Sequence, residues 1–318
     1  MLQRYLIVWL VLTSGVAVAW PSLTGWLSLP PTWDPFASGK SLLDVLIVVT
    51  MSCIGLMLPL NEVNQVCRRG RLVLTGTALQ YIAMPTLAFL CAKLLGLTGD
   101  LFVGMVLVGC VPGAMASNVL TLNAGGNTSY SVGLTTSATL VSPLAVPLAM
   151  GLLISSEHGA DLQLLVSASW KLLWTVVIPV VSGHLVARRL PSYQGFFART
   201  GSTVANLAII FIIAIVVGLQ RAPISHLSWR VLVALLAMNL LGYAAGYWGG
   251  RWLGMDEPMR RALTLEIGMQ NAGLGAVLAS NLLGDNHPDA AIPPALYTFG
   301  CMLTGTILSH IWSRQKIR

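Results

Sequence analysis

Glu266 lies deep inside an apolar run from Arg261 to Leu278, with Gln270 and Asn271 about one turn further on and glycines at 268, 273 and 275 around them. A charged group at mid-bilayer costs about 2.5–3.5 kcal/mol on insertion scales, so such groups mark ion or substrate pathways. A second apolar run is interrupted by Val111-Pro112-Gly113-Ala114-Met115-Ala116-Ser117-Asn118. Proline removes a backbone donor and clashes with the preceding turn. Glycine tolerates the unwound backbone that results. Ser131 and Thr135, spaced i, i+4, put two hydroxyls on one helix face, and Gln80 adds an amide within Ala78-Leu79-Gln80-Tyr81. Backbone freed from a helix inside the membrane has to be satisfied by protein or by water in a cavity. Free carbonyls, a carboxylate, amide oxygens and hydroxyls make a hard oxygen site suited to an alkali cation. Freed amides and half-helix N-termini suit an anion. Both kinds of group at one crossing point give a physical reason to expect cation–anion symport.

The elements that position these groups are membrane helices. Hydrophobic residues make up 55% of the 318 and charged residues only 9%, against roughly 25% charged in ordinary soluble domains. Apolar runs long enough to span a bilayer recur from end to end, whereas a β-barrel would show short alternating segments. The chain reads as an all-α polytopic membrane protein. Its net charge of +7 sits in short loops between spans and calls for no nucleic acid. The five cysteines form no CxxC pair, so neither a metal site nor a disulfide framework is expected. The histidines are dispersed. There is no HExxH, no Gly-x-Ser-x-Gly and no pair of intramembrane aspartates, so an intramembrane enzyme is not expected.

Ten spans are predicted: Leu2–Trp20, Leu42–Leu60, Leu72–Leu95, Leu101–Asn123, Ser129–Ile154, Leu164–Val186, Thr200–Leu219, Trp229–Leu253, Arg261–Leu283 and Ile292–Trp312. Arg4 followed by Tyr5 to Val18 and Ala17-Val18-Ala19 resembles a signal peptide with its cleavage site. We read it as a retained helix, because the run continues past Trp20-Pro21 and completes a symmetry. Ten spans divide into five plus five, and an odd number per half forces the halves to be inverted, a common plan among secondary transporters. The predicted single transmembrane domain, 1–318, then holds repeat one in 1–155 and repeat two in 162–318. The two interruptions fall at matching positions, spans four and nine. Calling the N-terminal side "in", Arg4, Arg68, Arg69, Arg71, Arg188, Arg189, Arg199, Arg251, Arg260, Arg261, Arg314, Lys316 and Arg318 fall on that side. Lys40, Lys93, Lys171, Arg221 and Arg230 fall on the other. This bias places both termini in the cytoplasm.

The pattern Pro112-Gly113 … Ser117-Asn118 … Thr121, Gly126-Asn127, Ser131 … Thr135, Ser142-Pro143, together with Glu266-Ile267-Gly268-Met269-Gln270-Asn271 … Gly273, resembles the bile acid:sodium symporter family. The resemblance extends over all ten spans and is strongest in spans three to five and nine. It implies two Na+ ions as co-transported cations. The first site would use Ser117, Asn118, Ser131, Thr135 and Glu266. The second would use Gln80, Glu266 and Gln270 with the backbone carbonyls of Ile267 and Met269. It implies a panel of helices within 1–60 and 164–219 and a core within 72–154 and 229–312, with broken helices four and nine crossing in that core. Substrate would bind in the cleft between them near Asn271, Met115, Ala116 and Pro112. The substrate implied is a small organic anion, bile-acid-like or a smaller carboxylate such as pantoate, in a bacterial inner (plasma) membrane. Two departures bear on it. Many relatives read Pro-Gly-Gly where this chain has Pro112-Gly113-Ala114, and many carry Trp-His-Asn where Gly300-Cys301-Met302 stands. The latter changes one wall of the cleft and leaves the cation ligands intact.

Membrane lipid is the one other partner expected; no protein partner or nucleic acid is. The expected function is a sodium-coupled symporter working by alternating access. The alternative on the same architecture is a proton-coupled carrier or cation/proton antiporter using Glu266. Other features read as structural. Gly242, Gly246 and Gly250 make a small-residue packing stripe, Pro293-Pro294 starts span ten, and Arg260-Arg261 is a topology signal. Asn127-Thr128-Ser129 fits a glycosylation sequon on a cytoplasmic turn and is set aside.

Overall fold

A computed structural model describes residues 5–26, 30, 33–58, 70–158, 162–225, 227–284 and 287–315. Arg4, Arg68, Arg69, Lys316 and Arg318, and the predicted span ends Leu2 and Leu60, lie outside the described residues. In chain order the helices are α1 (Leu6–Trp26), α2 (Leu43–Met57), α3 (Gly70–Leu94), α4 (Gly99–Cys110), α5 (Ala116–Asn123), α6 (Thr128–His158), α7 (Leu162–Leu172), α8 (Ile178–Arg189), α9 (Gln194–Leu219), α10 (Arg221–Ser225), α11 (Trp229–Trp252), α12 (Glu257–Gly268), α13 (Ala272–Leu278) and α14 (Ile292–Ser313). Short 3-10 turns lead into α2 and α14, a π turn joins α7 to α8, and another extends α13 to Leu283. Among the described residues eight helical segments are long and apolar enough to cross a membrane; Gly99–Cys110 and Ala272–Leu283 are shorter apolar pieces.

Proline is a poor guide to where these helices stop. Pro21 in α1, Pro85 in α3 and Pro143 and Pro147 in α6 all sit inside continuous helix. Neighbouring side chains and local adjustment absorb a lost amide in a membrane helix. At Pro112 the chain does unwind, from Val111 to Met115, and a second unwound stretch without proline runs from Met269 to Asn271. Three ends differ from expectation. α1 continues through Pro21 to Trp26, α9 starts at Gln194, and α12 starts at Glu257. The first turns of α9 and α12 are polar enough to fall outside an apolar-run criterion. Asp256 supplies the start signal of α12, its side chain accepting from the Met259 amide at 2.9 Å with Pro258 in the first turn.

The helices pack in two neighbourhoods. In one, α9 packs against α1 and α2, and α2 against α8. In the other, α3 packs against α4, α6 and α11, α11 against α12 and α14, and α14 against α4 and α13. The two meet where α9 and α1 touch α14, where α13 touches α9 and α2, and along α6 and α7. The glycine stripe lets α11 approach α12: a Cβ on Gly246 would stand 2.6 Å from the Thr264 Cα. The interrupted segments are the most enclosed. Residues 102–113 and 261–270 are all buried, while α1 shows Val11 and Leu12 and α7 shows Trp170 on the outside. A helix apolar all round belongs inside a bundle, so the chain's weakest backbone is kept away from lipid.

Candidate functional site

The two unwound stretches cross and satisfy each other. Gly113 and Gln270 form an isolated antiparallel bridge. The Ala114 amide donates to the Met269 carbonyl at 2.7 Å, and the Asn271 amide to the Pro112 carbonyl at 2.8 Å. Buried backbone groups have to be paired, and here each break supplies the other's partner. The crossing needs glycine at 113, because a Cβ there would overlap Glu266 Oε1. Asn271 caps the second half of the broken helix, its Oδ1 accepting from the Leu274 amide at 3.1 Å.

Glu266 sits against this crossing with no exposed surface. Its Oε2 accepts from the Ser117 hydroxyl at 2.5 Å and lies 2.8 Å from Thr135 Oγ1. Thr135 Oγ1 is also 3.1 Å from the Ser131 carbonyl and 3.4 Å from Asn118 Oδ1, so its single proton serves one acceptor at a time. Ser131 donates to Asn118 Oδ1 at 2.7 Å, and Thr121 Oγ1 stands 3.3 Å from Ser131 Oγ. Ser117, Asn118, Ser131, Thr135 and Glu266 are thus one cluster of oxygens drawn from α5, α6 and α12. Thr121 joins it, although the sequence reading gave it no role.

The other carboxylate oxygen has different surroundings. Glu266 Oε1, Gln270 Oε1 and both polar atoms of the Gln80 amide are buried and have no hydrogen-bond partner among the described residues. Gln270 Nε2 donates to the Ile267 carbonyl at 3.0 Å. The Ile267 and Met269 carbonyls therefore each accept one hydrogen bond and keep a second lone pair. An unpaired buried polar group costs about 1–3 kcal/mol. Buried acceptors left unpaired, one of them a carboxylate oxygen, fit a hard cation. Among the described residues no group of His, Cys, Asp and Glu could hold a transition metal, and the donors are all oxygen.

Sequence reasoning missed the residues that hold the break from behind. The Gly268 carbonyl accepts from Asn239 on α11 and Tyr297 on α14. The signal was present as an asparagine and a tyrosine inside apolar spans, but spacing alone did not connect them to residue 268. Arg261 is more than a topology signal: it is 3% exposed and donates to the Ala124 carbonyl at 2.7 Å, tying the end of α5 to the start of α12.

A cavity of about 290 Å³ lies on the far side of the crossing. Met115, Ala116 and Asn271 line it, facing Leu10, Ile54, Asn206 and Ile209. Cys301 and Met302 form part of its wall. Pro112 is buried behind it, and its carbonyl accepts from the Asn271 amide. A larger cavity of about 720 Å³ shares Leu6, Ala116, Val119, Asn206 and Met302 with the first and runs out past Asn123, His310 and Ser313. Among the described residues no Lys, Arg, Asp or Glu lines either one. At the opposite end the two helix neighbourhoods are tied together. Asp44 accepts from Lys171 at 2.7 Å and from Asn281 at 2.8 Å, and Gln220 donates to the Pro288 carbonyl at 2.7 Å. Arg221 pairs with Asp34 there, and its guanidinium holds the Asp34 carboxyl below its ordinary value of 3.8.

Comparison with known proteins agrees with the geometry. The chain is 30% identical over 310 residues to the "Uncharacterized sodium-dependent transporter YocS" of Bacillus subtilis (strain 168), covering 97% of this chain and 90% of that one. It is 29% identical over 309 residues to the "Probable sodium/metabolite cotransporter BASS1, chloroplastic" of Arabidopsis thaliana, covering 97% and 73%. It is 27% identical over 253 residues to "Sodium/bile acid cotransporter 4" of Mus musculus, covering 77% and 57%. Residues 44–227 match the Sodium Bile acid symporter family. With that match, and with similarity to YocS running nearly end to end, the chain belongs to the sodium bile acid symporter family.

Proposed function

We propose that this protein is a sodium-coupled secondary active symporter of a small organic anion, working by alternating access. The observation that carries the reading is Glu266 at the crossing of two unwound segments: one of its oxygens lies against the Ser117 and Thr135 hydroxyls, while the other is buried without a hydrogen-bond partner among the described residues, as are Gln270 Oε1 and the Gln80 amide. One carboxylate shared between two cations offsets part of both charges. We assign Ser117, Asn118, Ser131, Thr135 and Glu266 to one sodium ion. To the other we assign Gln80, Glu266 and Gln270 with the Ile267 and Met269 carbonyls. The substrate would occupy the 290 Å³ cavity, held by amides and half-helix ends, since no cation lines it among the described residues. The relatives' names, a sodium-dependent transporter, a sodium/metabolite cotransporter and a sodium/bile acid cotransporter, support a sodium-coupled organic solute.

The same reading organises the fold. Eight long spans plus two interrupted ones make ten, and five plus five makes an inverted repeat. The first helix neighbourhood is the panel and the second the core. In this reading the ties at Asp44 and Gln220 close the outer end and the 720 Å³ cavity, toward the end carrying Asn123 and His310, opens inward. Contacts near the span ends join residues of one predicted side only: Asp34 to Arg221, Asp44 to Asn281, Arg261 to Ala124. That supports the alternation of sides on which the proposed topology rests.

Two sodium ions moving with one monovalent anion carry net positive charge, which gains about 2.3 kcal/mol per 100 mV. Uptake into proteoliposomes should therefore require external sodium, and a negative interior should speed it. Equal uptake from choline medium rejects the reading. A proton-coupled carrier would need only Glu266; the unpartnered amide oxygens beside it favour a cation with several ligands.

A further inference from the structure

Gly268 ends the first half of the broken helix, and its carbonyl receives two side-chain donors. Asn239 Nδ2 on α11 donates at 2.7 Å and the Tyr297 hydroxyl on α14 at 2.8 Å. Behind them, Thr304 donates to Asn239 Oδ1 at 2.7 Å, and the Tyr243 hydroxyl stands 3.1 Å from Thr304 Oγ1. Asn239 and Tyr297 are 2% and 1% exposed. Neither lines the cavity, and neither is within hydrogen-bond reach of Glu266 or of any other assigned ligand's side chain.

One donor would satisfy a helix-ending carbonyl. Two, from two different helices, also fix the direction of its peptide plane. Met269 is extended, with φ −111° and ψ 94°, and in extended chain successive carbonyls point to opposite sides. Holding the Gly268 oxygen toward α11 and α14 therefore turns the Met269 oxygen the other way, where it meets the Ala114 amide at 2.7 Å. Gln270 follows directly, in register with Gly113. The geometry points to Asn239 and Tyr297 as positioning residues for the cation site. They brace the Gly268 carbonyl out of the oxygen cluster and so aim Glu266, Gln270 and the flanking carbonyls into it. This inference rests on the sodium reading above and adds that sodium affinity is set from the back of the broken helix.

The test uses purified full-length protein in detergent, titrated with sodium chloride against choline chloride at constant ionic strength, with the melting temperature as readout. Partners one shell beyond a bound metal typically shift its affinity about 10–100-fold. Asn239→Leu should raise the half-saturating sodium concentration about ten-fold, and Tyr297→Phe, which removes one oxygen, about three-fold or more. Tyr243→Phe removes a hydroxyl from the same network that does not touch Gly268, so its affinity should stay within about two-fold of wild type. The melting temperature without sodium reports general loosening separately. Should Asn239→Leu fail to fold, Tyr297→Phe against Tyr243→Phe decides alone. Wild-type affinity in Tyr297→Phe, or an equal shift in Tyr243→Phe, overturns the brace and leaves the sodium reading standing. No sodium stabilisation of the wild type overturns both.

Discussion

The two sides of Glu266 obey different rules. On the Oε2 side the protein satisfies itself: Ser117 and Thr135 approach the carboxylate, and Ser131 donates to Asn118. On the Oε1 side the carboxylate oxygen is buried with no hydrogen-bond partner among the described residues, and so are Gln270 Oε1 and both polar atoms of the Gln80 amide. A hydroxyl is donor and acceptor at once, so a hydroxyl cage can close on itself. Amide and carboxylate oxygens are acceptors only and cannot pair with each other. The difference teaches that hydrogen bonds of the fold hold the Oε2 side together, while the Oε1 side keeps buried acceptors unpaired, as the proposed cation site requires.

Removing the shared group should have the largest effect. Glu266→Gln removes the carboxylate shared by the two proposed sodium sites, and sodium-dependent uptake should fall by more than about 100-fold; wild-type uptake from this variant would remove Glu266 from its central role. Next comes a contrast between the sides. Ser117→Ala deletes a donor to the carboxylate and should lower sodium-free stability by about 1–3 kcal/mol. Gln80→Leu deletes an amide that has no partner, so the sodium-free protein should melt at the same temperature or higher while sodium-induced stabilisation drops. Calorimetry that finds the two variants alike would erase the distinction. Gly113→Ala pushes a methyl group onto Oε1 and should cost about 1–3 kcal/mol of stability and weaken sodium binding together. Loss of stability with sodium affinity intact would separate the crossing from the site.

Controls at the outer rim should mark where the comparison ends. Asp44→Ala cuts ties to Lys171 and Asn281 at a partly exposed position, so it should cost at most about 1 kcal/mol and leave sodium affinity unchanged. A large affinity change there would mean that the rim and the midplane are one unit. The smallest effect concerns pH. Because Arg221 lowers the Asp34 carboxyl, the stability that pair supplies is present above the ordinary value of 3.8 and is lost as pH falls through the lowered one. Melting curves of wild type should lose a small increment on acidification through that window, and Asp34→Asn should lack it.

Much of this was readable before any coordinates. The apolar runs mark membrane helices because lipid offers no partner to a polar group, and the same rule singles out Glu266, Gln270 and Asn271 as groups that need a reason. Ser131 and Thr135 could be placed on one face because helical spacing is fixed. Helix ends were less legible at Gln194 and Glu257, where the first turn is polar; the break at Pro112 was legible because glycine and polar side chains follow it, whereas Pro85 and Pro143 sit inside continuous helix.

The sequence by itself determined the class of the protein, the two segments bearing polar groups in apolar surroundings, and the chemical type of their donors. Each of these depends on local composition and on the cost of burying charge. Only the tertiary structure decided that Gly113 lies against Gln270, that Pro112 serves Asn271 through its carbonyl, and that Asn239 and Tyr297 converge on Gly268. Those pairings join residues from about 29 to more than 150 positions apart, and nothing in the spacing along a chain records which helix faces will meet once each has buried its own surface.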